Sequence, residues 1–310
     1  MPEEIGAGAY VARRGARSRR VDLRGLDHRI VEWGPQGGRP LVLLHGWMDC
    51  AMSFQFVVDA FARERSVVAL DFRGFGESAW QPQGYWFPDY LADLDRLLAI
   101  VSPGAPADVV GHSLGGNVAL LYAGVRPDRV RRVVSLDGFG IRDEPAESAP
   151  DRIAKWLDAL AAPAGLASYP STEALAARLQ RNNPRLTVDR ARFLALHWSR
   201  RRDDGSCELR ADPRHKLPFP TVHRLDQTLA VWRRIRAPAL CVAASDSIES
   251  PRLRARHEGP PPADPLDPVR ERMAVIPGAR IVVVADAGHM LHHDRPEAVA
   301  GAIEAFLDAP

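Results

Sequence analysis

The sequence is short of lysine and cysteine, and it has no long apolar run. Only two of its 41 basic residues are lysines, and none follows the glycine-rich pattern of a nucleotide-phosphate loop. No stretch of 18 apolar residues occurs, so no bilayer-spanning helix is predicted. The three cysteines, at positions 50, 207 and 241, are too few and too scattered for a disulfide framework. They also lack the Cys-x-x-Cys spacing of a structural metal site. A reducing, cytoplasmic environment is therefore expected.

The balance of charge gives no reason to expect a nucleic-acid partner, since the net charge is only +2. An arginine cluster over residues 13–20 is followed by Val-Asp-Leu-Arg, not by the apolar segment of a secretory signal. We therefore expect residues 1–20 to be a flexible, arginine-rich tail, with no nucleic-acid or membrane partner. No strand is followed by the Gly-x-Gly-x-x-Gly pattern of dinucleotide-binding proteins.

Short β-branched runs recur along the chain and indicate strands buried on both faces, as in a parallel sheet. They lie at residues 40–44, 67–70, 109–110, 133–136, 239–242 and 281–284. Residues 21–33 alternate apolar and polar side chains, which is typical of a half-buried hairpin. Apolar residues at helical spacing over 91–101, 114–125 and 299–307 predict helices between the strands. This alternation predicts an α/β sheet with helices on both faces.

The alternation stops between residues 140 and 236, where helical patterns dominate. They cover residues 153–161, 172–181, 190–199 and 225–234, and no buried-strand run appears among them. We interpret residues 140–236 as a helical insertion between two strands of the sheet. The core then consists of residues 21–139 and 237–310.

Residues 111–115, Gly-His-Ser-Leu-Gly, carry the clearest chemical signal. They fit the Gly-x-Ser-x-Gly pattern and lie between a predicted strand and a predicted helix. A serine raised on such a sharp turn needs glycine neighbours, because a Cβ atom on either side would clash. The alternative is a chance pentapeptide. The flanking elements favour Ser113 as a nucleophile.

A serine hydroxyl needs a base to take its proton, and His289 is the candidate. The last predicted strand, 281–284, runs into a small-residue loop that presents His289 beyond the sheet edge. His292 and His293 are alternatives, but they fall within the start of the next segment. A metal cluster of Asp286, His289, His292, His293 and Asp294 is a weaker interpretation, because His-x-x-His has no separate third ligand.

The base in turn needs an orienting carboxylate, and the predicted one is Asp246. It follows the strand over 239–242, and the order Ser113, Asp246, His289 is the serine–acid–histidine order of hydrolases with this turn. Asp137 remains an alternative because it also follows a predicted strand.

Two backbone N–H groups are candidates for an oxyanion hole: that of Trp47, in a loop after the first buried strand, and that of Leu114. A plain turn with a core tryptophan is the alternative at Trp47. The glycine-rich loop over 71–78 is interpreted as structural, with Arg73 holding loops together.

Taken together, these motifs resemble the α/β-hydrolase superfamily over roughly residues 21–309. Residues 44–49, 53–56, 71–78 and 135–140 resemble its serine-hydrolase-like proteins. The resemblance implies the α/β-hydrolase fold, with an eight-stranded, mostly parallel sheet, a Ser–His–acid triad and a cap over the pocket. Acid loops of the family often read Gly-x-x-Asp, and here Ala243 replaces the glycine.

The predicted function is a cytoplasmic serine hydrolase of the carboxylesterase type that cleaves a small ester through an acyl-enzyme intermediate. It needs no metal or organic cofactor, its partner is the small-molecule substrate, and it is a monomer or a homodimer. Two alternatives stay open. One is a hydrolase of carbon–carbon bonds in aromatic breakdown products, and the other is a ligand-binding protein with slow turnover.

Overall fold

The chain builds one central sheet of eight strands in the order β1-β2-β4-β3-β5-β6-β10-β11. The computed structural model describes residues 8–141, 143–248, 264 and 266–309. Strands from β4 to β11 in that order pair in parallel, and only β1 and β2 are antiparallel to their neighbours. The prediction of an eight-stranded, mostly parallel sheet is confirmed. The strands are β1 (Arg17–Leu23), β2 (Leu26–Trp33), β3 (Leu41–Leu44), β4 (Val67–Leu70), β5 (Ala107–His112), β6 (Val130–Leu136), β7 (Ser168–Tyr169), β8 (Ser199–Arg201), β9 (Cys207–Leu209), β10 (Ala239–Ala244) and β11 (Arg280–Val284).

Helices cover both faces of this sheet. Alternate residues of a strand point to opposite faces, so Leu41 and Leu43 of β3 join one apolar core while Val42 and Leu44 join the other. Among the described residues, no helix is long and apolar enough to cross a membrane. The helices are α1 (Gln55–Ala60), α2 (Phe87–Val101), α3 (Leu114–Val125), α4 (Ala149–Ala161), α5 (Thr172–Asn182), α6 (Val188–Trp198), α7 (Leu225–Trp232), α8 (Ser245–Ile248), α9 (Asp267–Met273), α10 (Leu291–Asp294) and α11 (Pro296–Leu307).

The insertion between β6 and β10 contains α4 to α7, close to the four helical segments predicted there. It also contains a small antiparallel sheet, β7-β9-β8, which the sequence did not predict. Its strands are two or three residues long, too short to show a hydrophobic period. The insertion contacts the core directly: the indole N–H of Trp198 donates to Ser53 Oγ over 2.9 Å.

The start of the described chain is ordered, so the predicted flexible tail over residues 1–20 is wrong for much of its length. Residues 17–20 belong to β1 and pair with β2. The backbone N–H of Arg14 donates to Asp59 Oδ1 over 2.7 Å, which holds the preceding segment against α1. Exposed arginines on β1 belong to an edge strand, where charge opposes pairing with another chain. Residues 1–7 lie outside the described residues.

Candidate active site

Ser113 lies at the turn between β5, a central strand, and α3. Its backbone has φ +51° and ψ −109°, a strained conformation for a residue with a side chain. Its N–H donates to the Leu136 carbonyl over 2.9 Å. A Cβ atom on Gly111 would come within 2.1 Å of the Gly115 oxygen, and one on Gly115 within 2.1 Å of the Leu44 oxygen. The tight turn therefore requires both flanking glycines.

His289 lies in the loop between β11 and α10, and its ring faces the serine. Nε2 of His289 is 2.9 Å from Ser113 Oγ. The side chain is half-exposed, so the ring can exchange protons with a bound substrate. The structure thus brings together the two residues that the sequence selected as nucleophile and base.

The carboxylate that contacts His289 belongs to Asp137, directly after β6. Its Oδ2 accepts a hydrogen bond from His289 Nδ1 over 2.6 Å. The Ser247 hydroxyl donates to the same oxygen, and the Ala244 N–H donates to Oδ1 over 3.2 Å. The carboxylate is buried. Three donors therefore hold the Asp137 carboxylate in place. Because this carboxylate pairs with Nδ1 of His289, the other ring nitrogen, Nε2, is left to face Ser113.

The prediction that Asp246 orients the histidine is wrong. Asp246 lies in α8, where its carboxylate accepts from the Ser245 hydroxyl over 2.8 Å and pairs with Arg185. About two-fifths of its side chain is exposed. The cause is local: β10 ends at Ala244 and the chain turns at once into α8, in which Asp246 pairs with Arg185 instead of His289.

The sequence leaves Asp137 as the alternative acid, since it also follows a predicted strand and the serine–acid–histidine order holds for both carboxylates. The sequence holds one signal for it: Asp137 precedes Gly138 directly after a strand. The structure shows why the residue type matters, because the φ of Asp137 is +51°. Aspartate adopts this left-handed conformation more readily than most residues, which makes it a natural residue for a sharp turn off a strand.

The loop after β3 lies against the serine. A Cβ atom on Gly46 would be 3.5 Å from Ser113 Cβ. The N–H groups of Trp47 and Leu114 donate to no acceptor within the described part of the chain. At Leu114 this follows from its place as the first residue of α3. The Trp47 ring is more than half exposed, so it is not the core tryptophan of the alternative interpretation.

The other histidines near the site are buried behind it. His292 and His293 have almost no exposure, and their ring centroids lie 4.0 Å apart with the rings tilted by 50°. Both nitrogens of His292 and Nε2 of His293 have no hydrogen-bond partner among the described residues, whereas Ser113 Oγ pairs with His289, so the structure does not support His292 and His293 as alternative bases. Burial, reinforced by the electrostatic interaction with His292, lowers the pKa of His293 well below its usual value. His112 behaves in the same way, since burial and His292 lower its pKa.

The metal cluster considered over residues 286–294 does not assemble. The Asp286 side chain is mostly exposed and pairs with Arg295. The Asp294 carboxylate accepts from Asn183 over 2.6 Å and from the Gly288 N–H over 2.8 Å. The latter bond secures the loop that carries the candidate base.

The sequence model of the alpha/beta hydrolase family matches residues 41–302. The serine hydrolase-like protein of Danio rerio is 28% identical over 302 residues, covering 95% of this chain and 89% of that protein. The 2-(acetamidomethylene)succinate hydrolase of Mesorhizobium japonicum is 28% identical, over 94% of this chain and 95% of that one. The crystal structure of a hypothetical protein from Pseudomonas aeruginosa PAO1 superposes with a TM-score of 0.77 at 28% identity. It covers 94% of this chain and 96% of that one.

Proposed function

The chain belongs to the alpha/beta hydrolase family, and from this premise we propose that it is a serine hydrolase that cleaves a small carboxylic ester. The observation that carries the proposal is the continuous hydrogen-bond chain from Asp137 through His289 to Ser113, with distances of 2.6 and 2.9 Å. The residues that build it come from the ends of three strands, β5, β6 and β11. A chain of this kind turns a weakly nucleophilic hydroxyl into an attacking group.

The proposed reaction has two halves. Ser113 Oγ attacks the acyl carbon while Nε2 of His289 takes its proton. The imidazolium that forms is stabilised by the Asp137 carboxylate, then returns the proton to the leaving alcohol. The serine is left as an ester of the acyl group. In the second half a water molecule attacks that ester by the same route, which releases the acid and restores the hydroxyl.

The negative oxygen formed in each half needs hydrogen-bond donors that are already in place. We propose the N–H groups of Trp47 and Leu114, which have no acceptor among the described residues and flank Ser113. Donors of this kind stabilise the transition state by roughly 3 kcal/mol each. The N-terminal end of α3 adds a favourable dipole beside the same oxygen.

We further propose that the insertion, residues 140–236, acts as a cap that limits the size of the substrate. Its segment between α5 and α6 contacts the core loops that surround the base. Asn183 donates to Asp294, and Arg185 pairs with Asp246. The side chain of Arg190 donates to the His293 carbonyl over 2.9 Å. Because these contacts hold the insertion against the site, short acyl groups should fit better than long ones.

The test combines labelling with turnover. The wild-type protein should react with a fluorophosphonate probe and hydrolyse p-nitrophenyl acetate, whereas Ser113→Ala should do neither while unfolding at an unchanged temperature. A ligand-binding protein would show negligible turnover of this ester. Retention of labelling in Ser113→Ala would reject the nucleophile.

A series of p-nitrophenyl esters of rising chain length tests the cap. We expect kcat/KM to fall as the acyl chain lengthens. Efficient hydrolysis of long-chain, emulsified lipid would contradict the proposed cap without affecting the assignment of Ser113.

A further inference from the structure

Three polar side chains lie buried directly behind Ser113 and take no part in the proposed reaction. They are Asp49, His112 and His292, and each offers one ligand atom within 4.8 Å of the other two. They come from separate places in the fold: the loop after β3, the end of β5 and α10. None of the three is more than 4% exposed.

One ring nitrogen of His112, Nδ1, has a lone pair that accepts no hydrogen bond from the described residues. Nε2 of His112 lies 2.7 Å from the carbonyl oxygen of His289, an atom that can only accept. The proton of the neutral ring therefore sits on Nε2. Nδ1 is left with its lone pair, and no donor among the described residues reaches it.

Asp49 and His292 bring further unpartnered atoms to the same place. Oδ1 of Asp49 accepts from the Cys50 N–H over 2.7 Å and from the Ser53 hydroxyl. Oδ2 accepts from no described residue and lies 3.7 Å from Nε2 of His292. Neither nitrogen of His292 is hydrogen-bonded within the described part of the chain. The neutral His292 ring carries one N–H, but at 3.7 Å its Nε2 is too far from Asp49 Oδ2 for a hydrogen bond. The carboxylate oxygen and the ring nitrogens therefore converge unpaired, as the ligands of a cation do.

We propose that this group, the Asp49–His112–His292 cluster, binds a divalent transition-metal ion such as Zn²⁺. One carboxylate oxygen and two imidazole nitrogens form a ligand set that zinc takes in sites with an open fourth position. Two ligands already have the outer hydrogen bonds that orient metal-binding side chains, His112 to a carbonyl and Asp49 to Ser53. To reach bond lengths of about 2.0–2.2 Å, the three atoms need to converge by roughly 1 Å.

The sequence predicted no metal because these three residues are far apart in the chain and form no spacing motif. The site is also independent of the proposed hydrolysis. Its occupancy can be measured without substrate, so the two proposals can fail separately.

The test titrates the metal-free, full-length protein with Zn²⁺ by isothermal calorimetry. We expect one equivalent to bind, and Asp49→Asn and His292→Gln to weaken binding by more than about 10-fold. Two variants should bind as the wild type does. One is His223→Gln, which changes a histidine of the insertion outside the cluster, and the other is His289→Ala, which removes the proposed base.

Three outcomes would overturn the proposal: no saturable binding to the wild type, unchanged binding to His292→Gln, or loss of binding in His289→Ala alone. If the cluster variants fail to fold, two measurements on the wild-type protein test the proposal instead. Its melting temperature should rise with Zn²⁺ concentration, and the Co²⁺-loaded protein should show visible absorption bands typical of cobalt bound by nitrogen and oxygen ligands. A constant melting temperature, or a thiolate-to-cobalt band from the neighbouring Cys50, would reject the site.

Discussion

Asp137 contacts the proposed base, His289, whereas Asp246 pairs with Arg185. Replacing each aspartate by asparagine distinguishes their roles. Asp137→Asn should lower turnover of p-nitrophenyl acetate on the order of 10⁴-fold, because an amide cannot stabilise the imidazolium and can hold the wrong tautomer. Asp246→Asn removes only a half-exposed ion pair with Arg185 and should leave turnover nearly unchanged. Steady-state kinetics on both variants, matched for thermal stability, checks this. A stronger loss in Asp246→Asn would reverse our correction.

Gly115 should be intolerant of even one added carbon. The Cβ atom of Gly115→Ala would meet the Leu44 carbonyl oxygen at 2.1 Å, and a backbone atom of a central strand cannot move aside cheaply. We expect a loss of about 2–4 kcal/mol in the free energy of unfolding, measured with urea. Gly301→Ala is the matched control, because its Cβ meets open space within α11 and should stabilise by up to about 1 kcal/mol. Equal effects of the two changes would contradict the packing argument.

At the scale of elements, Arg73 joins the loop after β4 to α2. Its guanidinium forms two hydrogen bonds with the Asp93 carboxylate, at 2.5 and 2.6 Å, and both side chains are buried. Burial alone would lower the pKa of Arg73, but the charge and hydrogen bonds of Asp93 raise it, so the pair stays ionised. The structural role predicted for Arg73 is therefore borne out by its contacts.

Removing this arginine should destabilise the protein strongly. Arg73→Met leaves the buried Asp93 carboxylate without its main partner, which should cost about 3 kcal/mol in the free energy of unfolding. The control is Arg63→Met, since Arg63 is largely exposed and lies 3.9 Å from Asp308. That change should have an effect below about 0.5 kcal/mol. Urea unfolding of both variants measures the difference. Arg24 and His28 also lie within 3.4 Å of the Asp93 carboxylate, so a small effect at Arg73 would mean that they hold its charge instead.

Elements with a hydrophobic run of four or more residues could be predicted from the sequence, and the strands of two or three residues could not. The runs at 239–242 and 281–284 became β10 and β11, and the helix after Ser113 begins at the expected residue. The strands of the insertion are too short to carry a pattern. The missed acid has a different cause: whether Asp137 or Asp246 reaches His289 depends on how the chain leaves β6 and β10, a backbone detail that spacing does not encode.

At the scale of the whole molecule, buried histidines should make the fold sensitive to mild acid. Burial lowers the pKa of His215 to about 3 and that of His197 to about 4. In the unfolded chain both rings bind protons below about pH 6.5, whereas in the folded protein they stay neutral. Stability is therefore complete above pH 6.5 and falls as the pH drops towards 4. At pH 5 each of the two neutral rings should lower the free energy of unfolding by about 2 kcal/mol relative to its value above pH 6.5.

His215→Phe tests this sensitivity at one position. The ring of His215 stacks between Phe75 and Tyr85, each at 3.7 Å, and phenylalanine can keep that stacking. The variant should lose less free energy of unfolding than the wild type between pH 7.5 and pH 5. Urea unfolding at the two pH values measures the loss. An identical loss in both proteins would show that other groups cause the acid sensitivity.

The order of the elements along the chain also decides when the site is complete during synthesis. Ser113 and Asp137 belong to one strand–helix–strand unit, β5–α3–β6, but His289 follows 176 and 152 positions after them. During synthesis, Ser113 and Asp137 therefore emerge from the ribosome long before His289. Every shorter nascent chain lacks the proposed proton acceptor. The proposed hydrolysis can begin only once β11 and the helices after it have docked, so translation itself would delay the activity until the fold around the site is finished.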